Sequence, residues 1–557
     1  MSHPMNAGAP IATLPSELFS AILDHVDLID LQATSLAITR ALPRSPIPGS
    51  YLFRSVSLRT RRQVVSLMRR LVFGGERGIE DASLVKKFGF VGWDVDADVL
   101  NNLLNHLPNL VALRINVGTT FTPEHLDDMI RMPRPLLKYL SLTFRPYVEK
   151  ATYYQFLKGS YFDGFLELLG QWPALPDGHE GLVTLSIVQE PPPRHLNSLV
   201  TSTSFAQPMV FFSFKPIIVL ACSSGVGKSI KQLRFRIPSR IYARELSVPS
   251  AFPSLDLLDL STSTVRDTEL KGIMGTFVGL KHLVLDATGL CGHGEVRNGW
   301  NDVGKICASG GIERARVRER LVNQELRRRQ PKTESGCATA KQHGPAKAPQ
   351  KATNVTTRAR RPQAFGSSRI SIRDSPSQTI LDNYDRRSAG ASSSAPALLP
   401  SSGPDYTGIR VLPPSPSLRT LCVATASDEP QPTLASQAEW TEEFEAGWKE
   451  GIERLKEHWN RLTNFTRNSP TINLMIFRTD HSSRIDQDDA MMAGLVEASG
   501  GRFEETLHSD WEQPPIICFG SLSLTAREFS TVDSRSPSGV SLAHRDGCGH
   551  SLADSFW

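Results

Sequence analysis

The chain has 557 residues, 40% of them hydrophobic and 8% aromatic, with 62 Lys and Arg against 57 Asp and Glu and a net charge of +5. That is enough chain for several domains and an ordinary globular composition, which excludes a fibrous or wholly unfolded protein. The 7 cysteines are scattered without paired spacing, residues 1–6 carry no signal-peptide pattern, and the longest apolar run, Met209 to Cys222, is broken by Lys215 and Pro216; the sequence predicts a reducing compartment, cytoplasmic or nuclear, and no membrane span.

Residues 1–10 read as a disordered N-terminus and 11–58 as a helical module. Leu14, Leu18, Ile22 and Val26 recur every fourth residue, which makes one stripe of a helix. Pro15 has its φ pre-set for a first helical position, and Glu17 puts negative charge near the positive end of the macrodipole. Residues 27–31 form an acidic junction, and Leu31, Ser35, Ile38 and Leu42 continue at helical spacing until Pro43. Residues 51–58 read as a strand. Two such short helices cannot bury both apolar faces against each other, so one face is expected to meet another chain.

Leu14-Pro15-Ser16-Glu17-Leu18, then Ile22-Leu23, Asp30-Leu31 and Ser35-Leu36, resemble an F-box, the helical motif that binds the Skp-type adaptor of cullin ubiquitin ligases. The resemblance covers about fifty residues. It departs from the family where many members carry a Cys and a Trp in the third helix, since Arg40, Ala41 and Leu42 stand there. It implies that Leu14, Pro15, Leu18, Ile22, Leu23 and Leu31 face the adaptor.

From 59 to 305 a Leu-x-x-Leu-x-Leu pattern recurs: Leu110, Leu113, Ile115; Leu137, Leu140, Leu142; Leu182, Leu185, Ile187; Ile230, Leu233, Phe235; Leu255, Leu258, Leu260; Leu280, Leu283, Leu285. The spacing resembles leucine-rich repeats, whose periods are about 20 to 29 residues. The two longest steps are close to double that period and are expected to hide one degenerate unit each. Physically, L-x-L is a strand of period 2 whose leucines point to one face, with helical stretches such as 123–132 and 163–170 forming an outer layer. Where that family closes the turn with Asn or Cys, this chain has Gly118, Arg145, Glu190, Pro238, Ser263 and Thr288, so the expected solenoid is irregular.

Residues 306–415 read as a basic, largely disordered linker. Between Lys305 and Asp374 stand 17 Lys or Arg against 5 Asp or Glu, and after a basic helix at 312–329 the chain turns to Lys, Ala, Pro, Gln, Ser and Gly, too poor in apolar residues to offset its ordering entropy. Arg327, Arg328, Arg329 and Lys332 are the candidate nuclear-localisation residues, set against a plain solvated linker and a non-specific phosphate contact. None of the usual nucleic-acid motifs is visible. Residues 416–510 resume the repeat pattern at Leu418 and Leu421, with a strand at 472–477, and include a long helix whose Trp440, Phe444, Trp448, Ile452, Leu455, Trp459 and Leu462 form one aromatic face. Residues 511–557 read as a loosely ordered tail.

Chemistry is sparse. Residues 217–229 imitate a strand running into a phosphate-binding loop, with Gly227-Lys228-Ser229 at its end, but the position five before Gly227 is Cys222 where the motif needs Gly. Residues 201–228 also interrupt the repeat rhythm, as an insertion or a stretch of translated non-coding sequence would. His544, Cys548 and His550, and separately Cys291 and His293, are too few for a zinc site at their spacing. The sequence therefore predicts an α/β protein with no catalytic residue, no cofactor and no metal. Its expected work is that of a substrate-recognition subunit of an SCF-type ubiquitin ligase, a helical F-box followed by an irregular solenoid that binds a protein target of unknown identity and meets a cullin through the adaptor. The alternatives are a non-ligase interaction scaffold and, more distantly, a P-loop nucleotide-binding protein.

Overall fold

The computed structural model describes residues 14–26, 28–42, 47–145, 162–173, 181–190, 210–222, 225–248, 251–277, 279–288, 290, 299–329, 408–424, 433–469, 472–477, 495–497, 512–519 and 548–554. The chain divides into two units, residues 1–325 with 408–557, and residues 326–407. Of the second, the described part is the last turn of one helix, 326–329. The body of the expected disordered linker, 330–407, and residues 1–10 lie outside the described residues.

In the first unit, helices α1 (Ser16–Asp24), α2 (Leu28–Ala41) and α3 (Gly49–Phe53) precede a run of alternating strands and helices. These are β1 (Ser55–Leu58), α4 (Arg61–Phe73), α5 (Glu76–Leu84), β2 (Lys87–Phe90), α6 (Ala97–Asn105), β3 (Ala112–Val117), α7 (Pro123–Arg131), β4 (Tyr139–Phe144), α8 (Asp163–Gly170), β5 (Thr184–Gln189), α9 (Lys215–Cys222), α10 (Val226–Ser229), β6 (Gln232–Arg236), α11 (Ala243–Leu246), β7 (Leu257–Asp259), α12 (Asp267–Thr276) and β8 (His282–Val284). There follow α13 (Trp300–Arg329), β9 (Gly408–Val411), β10 (Thr420–Cys422), α14 (Leu434–Arg467), β11 (Ile472–Phe477), β12 (Leu495–Glu497), β13 (Ile516–Cys518) and α15 (Gly549–Asp554).

Among the described residues ten strands form one sheet in the order β1-β2-β3-β4-β5-β6-β7-β8-β10-β13, every pair parallel. Parallel neighbours need a crossover between them, and the crossovers up to β8 contain the helices α4 to α12. The register aligns one residue of each strand in a continuous row: Val56, Phe88, Leu113, Leu140, Leu185, Leu233, Leu258, Leu283, Leu421 and Ile517. All ten are buried. Two residues on, Leu58, Phe90, Ile115, Leu142, Ile187 and Phe235 make a second buried row, and both rows belong to one core. The leucines of the sequence pattern thus share a face because the strand period is 2 and the strands are in register.

Several expectations change. Strand β4 pairs directly with β5, and β5 with β6, so among the described residues no strand stands between them; helices α8, α9 and α10 occupy the described parts of those crossovers. Of the stretch that interrupts the repeat rhythm, residues 210–222 and 225–228 are described, and Val210, Phe211, Phe214, Ile217 and Leu220 are buried in the main core. Tyr51–Phe53 is the end of a helix, and the strand begins only at Ser55. Helix α13 starts at Trp300 and runs through the expected boundary at 305/306, because Trp300, Val303, Cys307 and Ala308 belong to the main core and Ala315 and Val322 are also buried. Burial pushes the Cys307 thiol up to about 12, which leaves it inert at neutral pH.

The long aromatic helix is α14, and its buried stripe is the expected one from Phe444 to Leu462. Phe444, Trp448 and Ile452 join the main core, whereas Leu455, Trp459 and Leu462 pack with Leu412, Leu474 and Ile476. The latter three cover a separate sheet of order β12-β11-β9. The strand at 472–477 therefore belongs to that small sheet and not to the ten-stranded one. In turn, β13, inside the region read as a loose tail, is the last strand of the large sheet, held by Ile517 in the ladder.

After β7 and β8 the chain enters the same left-handed turn, at Thr262 (φ 66°) and Ala287 (φ 52°), each four residues beyond its ladder leucine. The ladder continues through these turns: Thr262 N–H donates to the Asp286 carbonyl at 2.7 Å and Ala287 N–H to the Ala424 carbonyl at 2.8 Å. A β-branched residue at positive φ is strained, and here two rows of hydrogen bonds hold it in place.

Candidate functional site

Helix α1 carries two apolar faces. Phe19 and Leu23, one turn apart, are buried, and Tyr51 Oη ties the helix to the chain by donating to Asp24 Oδ1 at 2.8 Å. Leu18 and Ile22, also one turn apart, remain 48% and 47% exposed, and Leu36 on α2 is exposed too. Of the residues that the F-box resemblance assigns to an adaptor, Pro15, Leu18 and Ile22 are exposed, and Leu14 and Leu31 are half-buried. Leu23 is fully buried and so supports the module from within; it does not present itself to a partner. Pro15 is the residue before the helix, not its first, with ψ at 155°.

Opposite the leucine rows, the register aligns small and polar side chains: Ser57, Gly89, Arg114, Ser141, Ser186, Arg234 and Asp259. Asp259 is fully buried and accepts from Arg234 Nε at 3.0 Å, Arg236 Nη2 at 2.7 Å, and the Ser261 N–H and Oγ at 3.0 and 2.7 Å. Just beyond the C-terminal end of β4, Arg145 lies 4.1 Å over the Trp93 ring and bonds Glu190 at 3.1 Å. Gly89, Ser141, Ser186 and Asp259 of this row are buried, and Ser57, Arg114 and Arg234 are half-buried.

The imitation phosphate loop is not one. Residues 215–222 are helical where that motif needs a strand, and the Ser229 hydroxyl is spent on the Leu182 and Val226 carbonyls, each at 3.0 Å. Arg327 and Arg328 are exposed on the last turn of α13; Arg329 ends that helix, and Lys332 lies outside the described residues. Cys291, His293 and His544 also lie outside them.

Cys548 and His550 do have partners. Cys422 ends β10, Cys518 ends β13, and the register places them directly opposite each other. Each follows a ladder residue, Leu421 or Ile517, so both side chains project from the face opposite the leucines. Helix α15 brings Cys548 and His550 onto the same spot, and the ligand atoms of all four residues lie within 4.8 Å of one another. Sequence reasoning missed this cluster because only Cys548 and His550 are local. The signal that finds it is the alignment of the two short strands, which puts a Cys one residue after the ladder position in each.

No helix among the described residues is long and apolar enough to cross a membrane. No family model matches the chain, and no curated protein matches it.

Proposed function

We propose that this chain is the substrate receptor of an SCF-type ubiquitin ligase, acting in the cytoplasm or nucleus by proximity and not by chemistry of its own. In this reading α1 and α2 are the F-box, and the large sheet with its crossover helices is a leucine-rich-repeat solenoid with units of uneven length that binds the target. The observation that carries it is the outward apolar pair Leu18 and Ile22, left exposed on a helix whose other apolar pair already anchors it. A soluble chain leaves such a pair uncovered at a cost unless a partner covers it. The strictly sequential parallel strands and their leucine ladder support the repeat reading. The target would then be held near a bound conjugating enzyme, which raises its effective concentration there.

The test is a pull-down of the full chain with purified Skp-type adaptor and cullin. Leu18→Ala with Ile22→Ala removes surface that is already half covered, so the double variant is expected to lose roughly 2 kcal/mol of binding, about 30-fold in affinity, with an unchanged melting curve. Leu23→Ala is expected to behave differently, costing about 2 to 5 kcal/mol of stability in the helical module because it opens a cavity. Failure of the wild-type chain to capture adaptor and cullin ends the ligase-receptor reading.

A further inference from the structure

Cys422, Cys518, Cys548 and His550 come from three separate chain segments, and none of the three cysteines is in a disulfide. Cys422, Cys518 and Cys548 are buried, and the His550 side chain is 9% exposed. Three thiols and an imidazole meeting in a buried spot are the donor set of a tetrahedral zinc site. The sizes agree. Zinc bonds of about 2.3 Å to sulfur and 2.0 to 2.1 Å to nitrogen in a tetrahedron put sulfurs about 3.8 Å apart and sulfur about 3.6 Å from nitrogen. His550 Nδ1 stands 3.7 Å from Cys518 Sγ and 4.0 Å from Cys548 Sγ.

The surroundings fit the same purpose. His550 turns its other nitrogen, Nε2, to Asp286 Oδ2 at 2.7 Å, across 264 residues of sequence. A carboxylate at Nε2 keeps the proton there, so the Nδ1 lone pair points at the three sulfurs, which is how metal-bound histidines are oriented. Asp286 is itself fixed: it is buried, its Oδ1 accepts the Ala424 N–H at 2.8 Å, and its carbonyl accepts the Thr262 N–H at 2.7 Å. Gly549, between the two local ligands, lets α15 settle close to the strands, because a Cβ there would stand 2.9 Å from Val284 Cγ2 and 3.2 Å from Cys422 Sγ.

We propose that Cys422, Cys518, Cys548 and His550 bind one structural zinc ion, His550 through Nδ1 and with Asp286 holding its Nε2–H. Four protein ligands close the coordination sphere, so the ion has no position for substrate and serves as a clip. It ties α15 to β10 and β13 at the end of the large sheet, closing long loops where a cross-link stabilises most. Binding releases the thiol protons, so affinity falls as the pH is lowered. This site stands independently of the ligase reading.

The test is metal analysis of the full-length protein purified without chelator, followed by cobalt substitution. One zinc per chain is expected, together with the intense visible absorption and sulfur-to-cobalt charge transfer of a tetrahedral thiolate site. Cys422→Ser with Cys518→Ser should lose both. Asp286→Asn keeps all four ligands and should still bind one zinc at saturation, about 10- to 100-fold more weakly in competition with a chromophoric chelator. The wild-type readings do not depend on any variant folding. A wild-type chain that holds no zinc and gives no tetrahedral cobalt spectrum overturns the proposal, as does iron in place of zinc, a Cys422–Cys518 disulfide in protein kept reduced during purification, or zinc retained by the double variant.

Discussion

Asp259→Asn is expected to cost about 3 to 5 kcal/mol of folding stability, the range for removing one partner from a buried ion cluster. The carboxylate is fully buried between Arg234 and Arg236 and accepts two further bonds from Ser261. An asparagine keeps the shape but sets an amide donor against guanidinium donors. Burial alone would raise the carboxyl pKa; the two guanidinium groups and the Ser261 bonds outweigh it and hold Asp259 well below the usual carboxylate range. A lowered folded-state pKa means the unfolded chain binds the proton more readily. The stabilisation is thus full above the ordinary carboxylate pKa of about 3.9 and is lost as the pH falls toward the folded value. Urea unfolding of both proteins at pH 7 and near pH 3 checks this: the gap should be largest at pH 7 and shrink in acid. A difference below about 1 kcal/mol at pH 7 would show that the arginines reach solvent and need no counter-charge.

Gly447→Val is expected to be at least as damaging, about 3 kcal/mol or more, because two helix backbones touch there. A Cβ on Gly447 of α14 would fall on the Asn301 carbonyl oxygen of α13, and one on Gly304 of α13 would fall on the Phe444 carbonyl oxygen. Gly451 faces Ala308 in the same way. Backbone cannot yield as a side chain can. The helices would have to part, and Phe444, Trp448 and Ile452 would leave the core they share with the sheet. Gly275→Ala is the control: its Cβ would meet nothing nearer than 3.7 Å, so the better helix former should be neutral or stabilising by up to about 1 kcal/mol. Thermal unfolding of the two variants side by side decides the matter; equal melting temperatures would mean that α13 and α14 do not pack this closely.

The local parts of this fold were legible. Leu113, Leu140, Leu185, Leu233, Leu258 and Leu283 stand at the same place in a repeated spacing, and that spacing alone predicts strands with one buried face. Helix α8 and the aromatic stripe of α14 followed from periodicity in the same way. Strands β2 and β13 were missed because Phe88 and Ile517 fill the ladder position without the surrounding leucines. Their place is set by a neighbouring strand, which composition does not reveal.

By itself, then, the sequence determined the helix in 16–24, the strand-forming leucine spacing and the aromatic helix, because each rests on the 3.6- or 2-residue period of nearby side chains. Only the tertiary structure decided which of the two apolar pairs on α1 turns inward, Phe19 with Leu23 or Leu18 with Ile22, since both have helical spacing and only packing separates them. It also decided that Arg234 and Arg236 enclose Asp259, and that Cys422 and Cys518 meet Cys548 and His550. Such clusters are made by the register of strands far apart in the chain, and register is fixed by the core that the whole chain builds.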